Sequence, residues 1–276
     1  MRKIISLLKL TRPINVLIAM LSVFVAALIS GTLSPWVAVL LACLSAGLIT
    51  AAANSINDYY DIAIDRINKP QRPLAAGRIS PRAALGSALG LYAAGIALAS
   101  AISPQMLAVA ALFSLLTWRY SAHLKRTALW GNFAVSLSTA AAFIYGAMAV
   151  GRPGAGIFPA LFAFFFHFGR EIIKDMEDVA GDRQFAAHTF PVRYGTGPAI
   201  ILVWVNFVVL VGLTLLPYFT GVYGKTYFLI LLLGVYPLIG YVLFSIRRDS
   251  PPQHLNRLSN LLKADMLVGL LAIYWG

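Results

Sequence analysis

Repeated apolar stretches of about 20 residues most constrain this chain, because each is long enough to cross the hydrocarbon core of a bilayer as an α-helix. Nine can be drawn, near residues 13–31, 35–56, 82–102, 104–118, 128–150, 155–174, 197–219, 226–245 and 260–275. Val16–Ile29 and Ile200–Leu216 are apolar nearly all round, whereas a helix on a soluble core carries a polar stripe at a 3.6-residue period. With 59% apolar and 12% charged residues over 276 positions, little chain is left for a soluble domain. The expectation is an all-α polytopic membrane protein: a single domain over residues 1–276, with nine transmembrane helices in a bundle. The single Cys43 lies inside an apolar run, which argues against a disulfide framework and a cysteine metal site. The first apolar run lacks a small-residue cleavage signal and reads as a retained span.

The basic residues sort by side. With nine spans, twenty of the 22 lysines and arginines fall on one face of the membrane, and only Arg152 and Lys225 on the other. The rich side is read as cytoplasmic, which places the N-terminus inside and the C-terminus outside a cell membrane. The net charge of +12 therefore reflects anchoring at membrane lipid and excludes nucleic acid as the partner.

Acid is distributed very differently. Eight of the ten acidic residues lie in two windows, Asp58, Asp61, Asp65 and Glu171, Asp175, Glu177, Asp178, Asp182. Asp58-Tyr-Tyr-Asp61-Ile-Ala-Ile-Asp65 and Asp175-Met-Glu-Asp178-Val-Ala-Gly-Asp182 share the spacing DxxDxxxD at a separation of 117 residues, an internal two-fold-like repeat in which Asn54 aligns with Glu171. On a helix, positions 54, 58, 61 and 65 fall within an arc of roughly 60°, and so do 171, 175, 178 and 182. Carboxylates three and four residues apart repel one another, and at the end of a membrane span that repulsion calls for a counter-ion. All-oxygen donors favour a hard cation, and a site giving one or two carboxylates per ion suits magnesium carrying a phosphate. A proton or cation relay of a secondary transporter is the alternative on these residues alone.

Cations follow each acidic window, in Arg66 to Arg78 and in Arg183 to Arg193, and a third loop, Arg119 to Arg126, faces the same side. Arginine forks and lysine point charges suit the remaining oxygens of a magnesium-bound diphosphate, with Arg72, Lys125 and Lys174 the best placed and Arg78 next in line. The four histidines are scattered, which argues against a histidine metal site.

Asn57-Asp58-x-x-Asp61-x-x-x-Asp65, Asp178-x-x-x-Asp182 and Thr11-Arg12-Pro13 together resemble the motifs of the UbiA superfamily of intramembrane prenyltransferases, over essentially the whole chain. The resemblance implies nine helices and two magnesium ions bridging a prenyl diphosphate between the two acidic helices. Asn54, Asp58 and Asp61 would hold one ion, Asp178 and Asp182 the other. Asp65 and Asp175 would be ligands or partners of ligands, and Arg12, Arg72, Arg78, Lys125 and Lys174 diphosphate contacts. Asp58, Asp61, Asp178 and Asp182 would thereby carry catalysis, and Tyr59, Tyr60 and Phe164 to Phe166 could shield the prenyl cation, with contact to lipid the alternative for most of them. No protein partner is implied. The implied reaction is transfer of a prenyl group to a lipophilic acceptor. The strings from Asn54 and from Gly169 most resemble the archaeal-type branch, whose members transfer geranylgeranyl to a glycerol-phosphate ether; an aromatic acceptor of quinone-type synthesis is the alternative. Four residues separate Tyr120 from Lys125 where several aromatic-acceptor members have three, so no role is carried over to Tyr120.

Overall fold

The computed structural model describes the backbone of residues 2–276 and their side chains except those of residues 2–4 and 68. Arg2 and Lys3, assigned above to the basic face, thus lie outside the described side chains. The described chain is all-helical: α1 (Arg2–Thr11), α2 (Pro13–Ile29), α3 (Trp36–Tyr60), α4 (Ile62–Asn68), α5 (Pro81–Ser100), α6 (Pro104–Ala122), α7 (Trp130–Ala149), α8 (Ile157–Gln184), α9 (Phe190–Tyr194), α10 (Thr196–Phe219), α11 (Lys225–Ile230), α12 (Tyr236–Ser245) and α13 (Pro252–Tyr274). Helix starts follow local chemistry. Proline opens α2, α5, α6 and α13, where its missing N–H has no intrahelical partner to lose. The Ser80 and Ser103 hydroxyls accept from the N–H groups of Ala83 and Met106, each at 3.2 Å.

Each apolar segment read from the sequence lies within these helices, but they are not equivalent. Among the described residues six helical stretches are long and apolar enough to cross a membrane, Trp36–Tyr60, Pro81–Ser100, Trp130–Ala149, Pro153–Gln184, Thr196–Phe219 and Lys225–Ser245. The pair α1–α2, bent by 49°, makes a seventh if it counts as one span. α6 and α13 are not among them: α6 ends through Arg119, and the first half of α13, from Gln253 to Asn260, is polar. The chain is a multi-pass membrane protein. Apolar side chains point outward accordingly, with Leu233 and Phe244 75% and 78% exposed.

The chain divides into two compact units, residues 1–124 with 141–156, and 125–140 with 157–276. In the first, α3 packs along α5 and is flanked by α2 and α6, around Val23, Ile56, Tyr92 and Met106. With no hydrophobic drive between helices in lipid, small residues and hydrogen bonds make these contacts. The Ser45 hydroxyl donates to the Gly95 carbonyl at 2.8 Å and lies 2.9 Å from the Tyr145 hydroxyl. A Cβ on Gly146 would stand 2.1 Å from the Val23 carbonyl oxygen, so the second half of α7 seats on α2 backbone to backbone.

In the second unit α8 packs on α10 and α13. Gly169 lies under Asn206 and Phe207, where a Cβ would approach Asn206 Nδ2 and a Phe207 ring carbon at 2.6 Å each. Asn206 Nδ2 also donates to the Phe165 carbonyl at 2.7 Å, which pins both partners. Gly169→Ala should destabilise the protein in detergent by about 1–3 kcal/mol through overpacking. Gly212→Ala on α10 meets no atom within 4 Å and should be neutral or slightly stabilising. Thermal unfolding of the two variants, side by side, checks this contrast.

Candidate active site: two acidic clusters

The first cluster belongs to the first unit and begins with a proline. Pro13 disfavours helical geometry at the residue before it, and Arg12 takes a left-handed conformation, φ 52° and ψ 73°. That conformation is unfavourable for a non-glycine residue by about 1–2 kcal/mol. The break uncovers the Thr11 carbonyl, which accepts from Asn54 Nδ2 at 2.9 Å. It also sends the Arg12 guanidinium to Asp58, whose Oδ1 accepts from Nη2 at 2.5 Å. The same Oδ1 accepts from Arg72 Nη1 at 3.1 Å, and Arg72 reaches Asp65 Oδ2 at 2.6 Å. Asp58, Asp61 and Asp65 are all buried, at 2%, 4% and 5% exposure, so these charge-assisted bonds answer a large desolvation. Burial pushes the Asp65 carboxyl above its ordinary range, with Asp58 and Asp61 adding to the rise, while the Arg72 hydrogen bond and charge pull it back.

A small core sets Arg72. Leu74 and Ile79 of the connection after α4 pack with Leu10 of α1 and Ala84 of α5, which fastens that connection over the carboxylates. Arg78 is exposed and donates to the Gln71 carbonyl, so it closes its own loop and is not gathered with the acids. The single-helix reading of residues 54–65 needs correction. α3 stops at Tyr60 and Asp61 caps it at φ −94° and ψ 6°, so a break separates Asp58 from Asp65. Aspartate competes poorly as an interior helix residue, and the bonds from Asp61 N to Asn57 O and from Asp65 N to Asp61 O carry the turn across the break.

The second cluster, in the second unit, sits on the uninterrupted α8. Glu171 is clamped by Lys174 Nζ at 2.9 and 3.1 Å and by Arg170 Nη1 at 3.0 Å, and Arg170 Nε holds the Ser259 carbonyl of α13 at 3.1 Å. Lys174 is therefore engaged by Glu171. Asp175 Oδ2 accepts from Asn132 Nδ2 of α7 at 2.8 Å, Glu177 from Asn256 at 2.7 Å, and Asp182 Oδ2 from the Thr189 hydroxyl at 2.9 Å. Asp178 is exposed and pairs with no other described side chain. Lys125 lies in a 3-10 turn, Leu124–Arg126, next to the connection that follows α8, since Arg126 O accepts from His188 N at 2.8 Å and Thr127 forms a parallel bridge with His188.

Asn132 and Thr189 escaped the sequence reading. Asn132 stands 43 residues before its partner, and no spacing rule links them. Of the aromatic residues read as a shield, Tyr60 meets Trp118 and Phe166 meets Phe207, edge to face. Among the described residues no group of three histidine, cysteine or carboxylate side chains converges on one point. Magnesium does not need such a cage, since it keeps waters and is held by one or two carboxylates together with substrate phosphates, and the all-oxygen clusters fit that demand.

Comparison with known proteins agrees with these features. Residues 16–262 match the model of the UbiA prenyltransferase family. The chain is 40% identical to the digeranylgeranylglyceryl phosphate synthase of Methanopyrus kandleri over 265 residues, 96% of each chain. It superposes on a solved structure of a digeranylgeranylglyceryl phosphate synthase with a TM-score of 0.82 at 29% identity, covering 99% and 98% of the two chains. A UbiA homolog from Archaeoglobus fulgidus, solved with DMAPP and Mg2+ bound, shares the fold at a TM-score of 0.71 and 20% identity, over 97% and 99% of the chains. By sequence, fold and the two acidic clusters, the chain belongs to the UbiA prenyltransferase family.

Proposed function

We propose that this protein transfers geranylgeranyl from its diphosphate to the free hydroxyl of geranylgeranylglyceryl phosphate, the step that gives digeranylgeranylglyceryl phosphate. The observation that carries the reading is the buried network of Arg12 and Arg72 on Asp58 and Asp65, which brings phosphate-binding cations and metal-binding carboxylates to one place. The name of the 40% identical relative supports the acceptor, and the DMAPP and Mg2+ of the Archaeoglobus homolog support the donor class and the ion. Two magnesium ions are part of the reading, with Asn54, Asp58 and Asp61 serving one and Asp178 and Asp182 the other; Asp65 and Asp175 complete or orient these sets.

When bound, magnesium supplies Lewis-acid stabilisation of the departing diphosphate. Arg12, Arg72 and Lys125 contact its remaining oxygens, and Lys174 and Arg78 join after turning from Glu171 and Gln71. The bond from the allylic carbon to the diphosphate oxygen breaks, the acceptor hydroxyl oxygen bonds to that carbon, and the hydroxyl proton passes to the released diphosphate. Apolar helix faces exclude the water that would otherwise capture the allylic cation.

The same reading takes residues 1–276 as one prenyltransferase domain. It has nine spans with an internal repeat, lies in the cell membrane and places the N-terminus and the active site at the cytoplasmic face. In a Cys43→Ala background, Val222→Cys should react with an impermeant thiol reagent from outside cells and Ser250→Cys only after the membrane is opened; the reverse pattern would overturn the orientation.

Asp58→Ala and Asp178→Ala should each lower magnesium-dependent diphosphate release from geranylgeranyl diphosphate by about 10²-fold or more, in keeping with the loss of a major electrostatic stabiliser. Full activity in either purified variant sinks the assignment. A secondary transporter would instead drive ion flux in proteoliposomes and yield no covalent product. Products from a panel of prenyl diphosphates and acceptors, identified by mass, should show the doubly prenylated glyceryl phosphate; a prenylated aromatic acid in its place would move the chain to the quinone-type branch.

A further inference from the structure

We infer that Asn132 and Thr189 are positioning residues that orient Asp175 and Asp182, held in place by a clasp of two connections in the second unit. The inference rests on the proposed role of the second cluster as magnesium ligand. Each residue is buried, at 5% and 3% exposure, and each donates one hydrogen bond to one carboxylate oxygen, at 2.8 and 2.9 Å. An aspartate carboxylate turns broadly about its last torsion, so a fixed donor on one oxygen decides where the other points. Carboxylates that ligate metals are commonly held in this way, and loss of the holding group weakens metal binding about 10–100-fold.

The backbone around both donors is built for the task. α8 ends with Ala187 N donating to Asp182 O at 2.9 Å and Ala186 N to Arg183 O at 3.3 Å, the Schellman pattern, in which the residue at Ala186 is usually glycine. Ala186 nevertheless sits at φ 51°. This cap fixes the Asp182 backbone and folds the chain back, so that Thr189 meets the Asp182 side chain seven residues on. On the partner connection Leu129 is also left-handed, at φ 65°, and its carbonyl accepts from Phe133 N at 2.8 Å, which starts the turn of α7 that carries Asn132. Arg126 O to His188 N and the Thr127–His188 bridge stitch the two connections together. Two of the three left-handed non-glycine residues of the described chain thus flank one stitch, and each aims a side chain at a carboxylate of the same cluster. Strained residues of this kind persist where the surroundings over-determine them and a site uses the geometry.

The test uses full-length protein in detergent, with Mn2+ as the spectroscopic probe for magnesium and inorganic pyrophosphate as the probe for the diphosphate. Thr189→Val keeps the shape and removes the hydroxyl donor; Thr189→Ser keeps the donor. Asn132→Ala removes the other bond. Mn2+ binding read by electron paramagnetic resonance should weaken about 10-fold in Thr189→Val and Asn132→Ala and return to within about 2-fold of wild type in Thr189→Ser. The magnesium midpoint for activity should shift in parallel, while KM for prenyl diphosphate at saturating magnesium stays within about 2-fold. Equal loss in Thr189→Val and Thr189→Ser would mark Thr189 as structural only, and wild-type Mn2+ binding in Thr189→Val would remove the inference. Asp182→Ala separates the two layers. If it removes one of the two bound Mn2+ ions while Thr189→Val leaves both intact, positioning fails and the proposed function stands; if Asp182→Ala binds Mn2+ as wild type does, the ligand role fails and positioning with it.

Discussion

A carboxylate buried at the end of an apolar helix must be compensated, and that requirement organises the first unit around Asp58. Leaving such a charge unpaired at low dielectric is more unfavourable than a few strained torsions, which is why Arg12 can be held left-handed. Once Arg12 is turned, α1 and α2 diverge, the Thr11 carbonyl opens, and Asn54 closes it. Arg72 then needs a fixed platform, and the Leu10, Leu74, Ile79 and Ala84 core provides one. The bend at the N-terminus and the shape of the connection after α4 both follow from neutralising the same side chain.

The second cluster solves the related problem by other means. Glu171 takes its cations from its own helix, Arg170 one residue before and Lys174 three after, while Asp175 receives the neutral amide of Asn132. A neutral amide or hydroxyl fixes direction while adding no charge, so it leaves the attraction of a carboxylate for a divalent cation largely intact. A guanidinium both fixes and neutralises. Asp58 and Asp175, at matching places in the two windows, therefore have unlike partners in the fold, guanidiniums in one and an amide in the other.

Helix positions were legible because lipid makes apolar length the dominant signal, and all nine apolar segments fall in helices. The two acidic windows were equally plain, since eight of ten acids in an oily chain have no bland role to hide in. Three things were not legible. The break at Asp61 follows no proline or glycine, so nothing local announces it. Ala186 occupies a cap position where glycine would have flagged the turn, and alanine does not. Asn132 and Asp175 are neighbours through helix packing alone, 43 residues apart, where no periodicity applies. Proximity in sequence to the acids is not proximity of side chains: Gly77, at φ 68°, turns the chain, and Arg78 donates to the Gln71 carbonyl.

On the proposed function, the pairing at Asp58 also bears on how the same cations can serve a diphosphate. Arg12 and Arg72 together offset Asp58 and Asp65, which lowers the cost of gathering three buried carboxylates in a small space. Asp58 and Asp65 would hold a divalent cation whose diphosphate offers the two guanidiniums another anion. Arg12 and Arg72 could turn to that anion, since their planar forks suit phosphate as well as carboxylate. The exchange needs only short side-chain movements, because α3 and the connection after α4 are already fastened by the Ile56 and Leu74 cores. Pre-organisation of this kind lets substrate binding act on the reacting bond rather than on ordering the chain.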